Sequence, residues 1–136
     1  MNDWDIKLER YRQENKNVKF GETVFAGSSL MEMFPINKLL EEHNDDTIIY
    51  NRGIGGYLTD NLLENLDVCV TDLRPSKVFI NIGTNDLSWA DKSISGIMDN
   101  YDKIITGIEK ALPDVLIYLM AYYPVTVSYT HLTLPT

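Results

Sequence analysis

Lys77-Val78-Phe79-Ile80-Asn81-Ile82, followed at once by Gly83-Thr84-Asn85-Asp86, is the stretch on which the fold turns. Six residues, apolar nearly throughout, are too short for a helix and fit a strand buried on both faces. The cluster after them is small and polar, as befits a strand end that opens onto a site. The same pairing recurs upstream. Thr23-Val24-Phe25-Ala26 runs into Gly27-Ser28-Ser29, and Thr47-Ile48-Ile49-Tyr50 runs into Asn51-Arg52-Gly53-Ile54-Gly55-Gly56. Downstream, Val115 to Met120 is a fourth apolar strand.

Helical patterns fill the intervals. A charged helix is expected from Asp3 to Asn15, with Trp4, Leu8 and Tyr11 on one stripe. A second runs from Leu30 to Glu42, interrupted by Pro35, and leads to the polar turn His43-Asn44-Asp45-Asp46. Thr59 or Asp60 can cap a third, carrying Leu62, Leu63, Leu66 and Val70 up to the break at Arg74-Pro75-Ser76. The longest runs from Ser93 to Leu112. Ile94, Ile97, Met98, Tyr101, Ile104, Ile105, Ile108 and Leu112 follow helical spacing, and Pro113 stands beyond the end. Strands alternating with helices predict an α/β domain: a parallel sheet between two helical layers, a three-layer α/β/α sandwich. Ligands in such folds bind beyond the carboxyl ends of the strands, where the three polar clusters fall.

Composition narrows the partners. The 136 residues suit one domain with a single core. The formal net charge of -8 disfavours nucleic acid and anionic lipid and leaves small neutral substrates open. The single cysteine, Cys69, excludes an internal disulfide. The N-terminus is charged throughout, without the apolar core of a signal peptide, and no apolar run reaches the length of a membrane helix. A soluble, cytoplasmic protein is expected. No metal-ligand cluster or cofactor motif is visible, and none is expected. Gly53-Ile54-Gly55-Gly56 fails as a dinucleotide loop, because the third glycine of that motif would fall on Leu58.

Each cluster has a chemical reading and a plainer one. Ser29 stands where a strand turns into a helix, a place where a hydroxyl can be exposed beside free helix amides. Ser28 is its rival, and either serine could simply cap the helix. A glycine amide in the second cluster could face an oxyanion, or the segment could be only a glycine-rich turn. Asn85 could donate a hydrogen bond to an oxyanion or close an Asx turn. Asp86 could act as a carboxylate, or could cap or hold its loop. Successive strand ends would bring all three clusters to one edge of the sheet.

Together, FAGSSLMEMFP, NRGIGGYLTDNL and VFINIGTNDLS resemble the first three sequence blocks of the SGNH (GDSL) hydrolases, in order, spacing and strand context, over roughly Val24 to Pro124. The resemblance implies a flavodoxin-like sandwich and a serine esterase or acylhydrolase acting through an acyl-enzyme. It implies Ser29 as the catalytic nucleophile, and an oxyanion hole of the Ser29 amide, the Gly56 amide and the Asn85 side chain. Substrates would be small esters, such as an acetylated carbohydrate or a longer acyl ester. Ser28 stands where the family's name-motif has aspartate, a variation shared by bacterial members with Gly-Ser-Ser. A competing function class is a non-catalytic α/β module that binds a small ligand or a partner through the same strand-end amides.

The family's Asp-x-x-His, which supplies the base and its orienting carboxylate, occurs nowhere in the chain. His43 lies in a polar turn, and His131 has Ser128 where the aspartate would stand. Residues 127–136, VSYTHLTLPT, resemble the translation of a transposon-type sequencing adapter. The expectation is therefore a partial hydrolase domain over 1–125, a non-native tail over 126–136, a fold incomplete at the C-terminus and a chain with little activity.

Overall fold

A computed structural model describes residues 2–120. Four parallel strands form one sheet in the order β2-β1-β3-β4: β1 (Thr23–Gly27), β2 (Ile49–Asn51), β3 (Lys77–Asn81) and β4 (Leu116–Leu119). The helices are α1 (Asp3–Glu14), α2 (Ser29–Glu32), α3 (Ile36–Glu42), α4 (Thr59–Glu64), α5 (Leu66–Cys69), α6 (Thr84–Ser88) and α7 (Ile94–Ala111). This is the expected α/β sandwich.

Register divides the side chains of the sheet between its faces. Val24 lies beside Val78 and Ala26 beside Ile80, so these four point the same way. They are fully buried, and Ala26, Val78 and Ile80 share a core with Leu62, Val68, Ile97, Tyr101, Ile104 and Ile108 of α4, α5 and α7. α1 joins this core through buried Tyr11, with Trp4 and Leu8 half-buried beside it, so the expected stripe is real. The opposite face carries an aromatic row. Phe25 meets Phe34 and Phe79 edge-on, and Phe79 stacks on Tyr118 at 4.6 Å.

α7 starts where expected. The Ser93 hydroxyl accepts from the Gly96 amide at 3.0 Å, capping the helix. Ile97, Tyr101, Ile104 and Ile108 form its buried stripe. Met98, one residue round from Ile97, falls off that stripe, and Ile94 at the first turn is also exposed.

Local hydrogen bonds redraw three boundaries. β2 starts at Ile49 and not at Thr47, because Asp45 Oδ1 accepts from both the amide (2.9 Å) and the hydroxyl (2.5 Å) of Thr47 and holds it in an Asx turn. The single helix expected after residue 58 is broken at Asn65, whose side chain donates to the Asn61 carbonyl (3.0 Å) and the Tyr57 hydroxyl (3.2 Å). Pro35 likewise separates α2 from α3. The segment after residue 83, read only as a polar cluster, forms the short helix α6. Among the described residues no helix is long and apolar enough to cross a membrane.

Candidate active site

β1 delivers the first cluster. Gly27 ends the strand at φ +151, and a Cβ there would lie 2.1 Å from the Asn81 carbonyl oxygen. Only glycine fits so close to β3 with that backbone, so the turn into α2 is set by the contact between strands. Ser28 precedes α2, and its amide donates to the Asn81 carbonyl at 3.3 Å. Its side chain is buried and makes no capping hydrogen bond, so the plain helix-cap reading of Ser28 does not hold. Ser29 is the first residue of α2 and is half-buried. At that position its amide is one of the free donors of a helix start.

The second cluster folds over the first. The Ile54 amide donates to the Gly27 carbonyl at 3.0 Å, which carries the loop across the end of β1. A Cβ on Gly55 would lie 3.8 Å from the Cβ of Ser29, so this loop flanks the serine directly. Two neighbouring amides are available in principle. The Gly55 N–H is already engaged, donating to Glu32 Oε1 at 2.5 Å. The Gly56 N–H has no acceptor among the described residues. Gly56 also has φ +82, which favours glycine.

The third cluster reaches the second through Asn85. Its Nδ2 donates to the Tyr57 carbonyl at 3.1 Å. A carboxamide nitrogen carries two protons, so one donor remains. Asn85 is half-buried. Asp86 beside it is fully buried, and its carboxylate accepts from the Thr59 amide (3.0 Å) and the Thr59 hydroxyl (2.6 Å). It thus satisfies the amide at the start of α4, the role expected of Thr59 or Asp60. Asn100 of α7 donates to the Thr59 hydroxyl (2.8 Å) and to Asp60 (2.7 Å). Lys92 donates to Asp60 at 2.6 Å; its ammonium, and then Asn100, hold the Asp60 carboxyl below the usual range.

The site's outer support comes from α1 and from Glu32. Trp4 Nε1 donates to the Gly55 carbonyl at 2.8 Å, and the Tyr11 hydroxyl donates to the Gly53 carbonyl at 2.7 Å. Lys7 pairs with Glu32 at 2.9 Å. The spacing of Trp4, Lys7 and Tyr11 places them along one side of α1, but nothing in it named the loop they would hold. Glu32 had a fainter signal: it lies three residues after Ser29, hence on the same side of a helix.

The two histidines stand apart from this constellation. His43 is exposed at the end of α3, in the turn leading into the start of β2, whereas Ser29 follows the end of the parallel neighbour β1, so the two lie at opposite ends of the strands. His131 and the tail over 126–136 lie outside the described residues. No group of three or more potential metal ligands occurs among the described residues.

Residues 34–133 match the model of the GDSL-like Lipase/Acylhydrolase family. A Streptococcus pneumonia protein described as a platelet activating factor superposes with a TM-score of 0.80 at 33% identity, over 90% of this chain and 56% of its own. An acylhydrolase assigned in Bacteroides fragilis gives 0.73 at 22% identity, over 91% of this chain and 61% of its own. A GDSL-like lipase of Bacteroides thetaiotaomicron gives 0.73 at 20%, over 87% and 59%. The last two bear on the fold alone. The chain spans between half and two thirds of the length of these relatives. No curated protein matches it.

Proposed function

Because the chain belongs to the GDSL-like lipase/acylhydrolase family, we propose that it carries the nucleophile and oxyanion donors of a serine ester hydrolase. Ser29 Oγ attacks the ester carbonyl carbon, and the carbonyl oxygen becomes an oxyanion. The amides of Ser29 and Gly56 and the free Nδ2 proton of Asn85 hold that charge. Collapse breaks the bond to the alcohol oxygen, which leaves carrying the proton that Ser29 Oγ gave up, and Ser29 stays acylated. Water then attacks the acyl carbon and releases the acid. Donors fixed before the reaction stabilise the developing charge without reorganisation, a contribution of about 10²–10³ in rate per donor.

One observation carries the reading. Of the two glycine amides beside Ser29, the Gly55 N–H is taken by Glu32, while the Gly56 N–H has no acceptor among the described residues. The Tyr57 amide closes a β-turn on the Ile54 carbonyl, a geometry that leaves the Gly56 N–H outside the turn's own hydrogen bonding and open to a ligand beside Ser29.

The sequence holds no Asp-x-x-His. A serine hydroxyl without a base is a weak nucleophile at neutral pH. The proposal therefore extends to low turnover by this chain. Triad-deficient hydrolases retain about 10³–10⁴ over water from oxyanion stabilisation and binding. Substrates on this reading are small neutral esters, with either an acetyl or a longer acyl group. No cofactor takes part, and the acidic chain does not engage nucleic acid.

Hydrolysis of p-nitrophenyl acetate by the chain and by Ser29→Ala tests the assignment, with a p-nitrophenyl phosphonate as covalent probe. Slow hydrolysis and slow labelling, both lost in Ser29→Ala, are expected. Equal labelling of Ser29→Ala would overturn the nucleophile. Rapid stoichiometric labelling of Ser29 would overturn the low-turnover part. Absence of hydrolysis and labelling in both proteins would favour a binding module. Comparing acetate with laurate esters reads the acyl preference.

A further inference from the structure

We infer that Trp4 is a positioning residue for the oxyanion site: by holding the Gly55 carbonyl, its indole N–H aims the Gly56 amide. The inference rests on the assignment of Ser29 and Gly56 above.

The peptide bond links the two groups. The carbonyl of Gly55 and the N–H of Gly56 belong to one planar trans unit and point in opposite directions. Fixing the carbonyl therefore fixes the direction of the N–H. Trp4 Nε1 donates to the Gly55 oxygen at 2.8 Å, from a helix about fifty residues away in sequence. The indole cannot easily drift. Its ring meets Tyr57 edge-on at 5.4 Å, and a Cβ on Gly56 would lie 3.2 Å from Nε1. The tryptophan thus lies against the peptide that it holds.

The preceding peptide is held as well. The Gly55 N–H donates to Glu32 Oε1, and Glu32 is paired with Lys7, one turn along α1 from Trp4. Glu32 ends the single-turn helix that Ser29 begins. So short a helix has little stability of its own, and its placement depends on such tethers. Two successive peptide planes are therefore fixed, one to α1 and one to the helix of the nucleophile. A glycine pair would otherwise be the most mobile part of the loop. Both anchors are needed to keep the Gly56 N–H at a constant angle to Ser29.

The test uses the full chain with Trp4→Phe, which keeps an aromatic ring and removes the donor. A second protein carries benzothienylalanine at position 4, where sulfur replaces the N–H in a ring of nearly the same shape. Two quantities are read: the backbone ¹⁵N order parameter of Gly56, and the rate at which a p-nitrophenyl phosphonate labels Ser29. The order parameter should fall from about 0.85 towards 0.6 or below. Labelling should slow at least tenfold at saturating probe. Arg12→Gln, which removes only an exposed ion pair with Glu9 on the same helix, should stay within threefold of the parent. An unchanged order parameter or an unchanged labelling rate in both position-4 proteins overturns the inference. If Trp4→Phe fails to fold, the benzothienyl protein decides. If labelling is too slow to time, the order parameter decides alone. A Ser29→Ala protein that labels like the parent would sink the nucleophile assignment and leave the order-parameter result standing.

Discussion

A Cβ placed on Gly56 would lie 3.2 Å from the indole nitrogen of Trp4, so the backbone at residue 56 and the first helix of the chain are in direct contact. Gly56→Ala adds that carbon at φ +82, where an L-residue is strained. A cost of about 1–2 kcal/mol is expected from the backbone alone. The indole must also give way, loosening its bond to the Gly55 carbonyl. Urea unfolding should show a lower midpoint with an unchanged slope, and labelling of Ser29 should slow. An unchanged midpoint would contradict the contact.

Asp86 is held in place by Thr59, and the dependence runs both ways. Asp86→Ala leaves the buried Thr59 amide and hydroxyl short of an acceptor. An unsatisfied buried donor costs about 1–3 kcal/mol. Asp86→Asn retains one acceptor oxygen and should fall between the two. Thr59→Val removes the hydroxyl only. A double-mutant cycle of Asp86→Ala with Thr59→Val should give clear coupling, because the residues touch. Additive effects would refute the pairing.

Asn85 has a divided task. One Nδ2 proton goes to the Tyr57 carbonyl, and the other is free for substrate. Asn85→Asp puts a carboxylate against that carbonyl and removes both donors. Labelling of Ser29 should drop about 10²–10³-fold, the usual cost of losing an oxyanion donor. Asn85→Ala should slow labelling similarly but destabilise less, since it sets no charge against the Tyr57 carbonyl. Equal stability of the two variants would argue against the Tyr57 contact.

Alkaline stability turns on Cys69 and Tyr57. Burial pushes the Cys69 thiol up from 9.0 to about 12, and burial likewise raises the Tyr57 phenol. Both are neutral in the folded state, while the unfolded chain ionises them earlier. The unfolded state then binds fewer protons, so stability falls as pH rises. For Cys69 the contribution is whole below pH 9 and is lost between 9 and about 12. Denaturant melts from pH 8 to 11 should show a steady decline, smaller in Cys69→Ala. Iodoacetamide should react with Cys69 only on unfolding.

The sheet is largely legible in the sequence, because buried parallel strands must be apolar on both faces. Phe79 and Ile80 illustrate this: one belongs to the aromatic row, the other to the helical core. The three polar clusters were legible for the same reason, since they stand where apolar runs stop. Boundaries were harder. Thr47 is a good strand residue, yet Asp45 captures it. Asn65 fits a helical run, yet its side chain breaks the helix. Such side-chain bonds leave no periodic trace. Trp4 and Glu32 were hidden for another reason: their partners are backbone groups of glycines, and a glycine advertises no preference for what touches it. Trp4 was visible only as an apolar member of a stripe, with no sign of its hydrogen bond.

Every strand pairing in the sheet is parallel, with helices between the paired strands. No two of these strands can close as a hairpin. β1 lies centrally and must wait for both β2 and β3. The contacts that shape the turn at Ser29 are all distant in the chain: Gly27 against Asn81, and Trp4 against Gly55. Domains built on such distant pairings fold slowly, on the order of milliseconds to seconds at the slow end. The turn that carries Ser29 is thus synthesised before Gly55 and Asn81, and acquires its shape only after them.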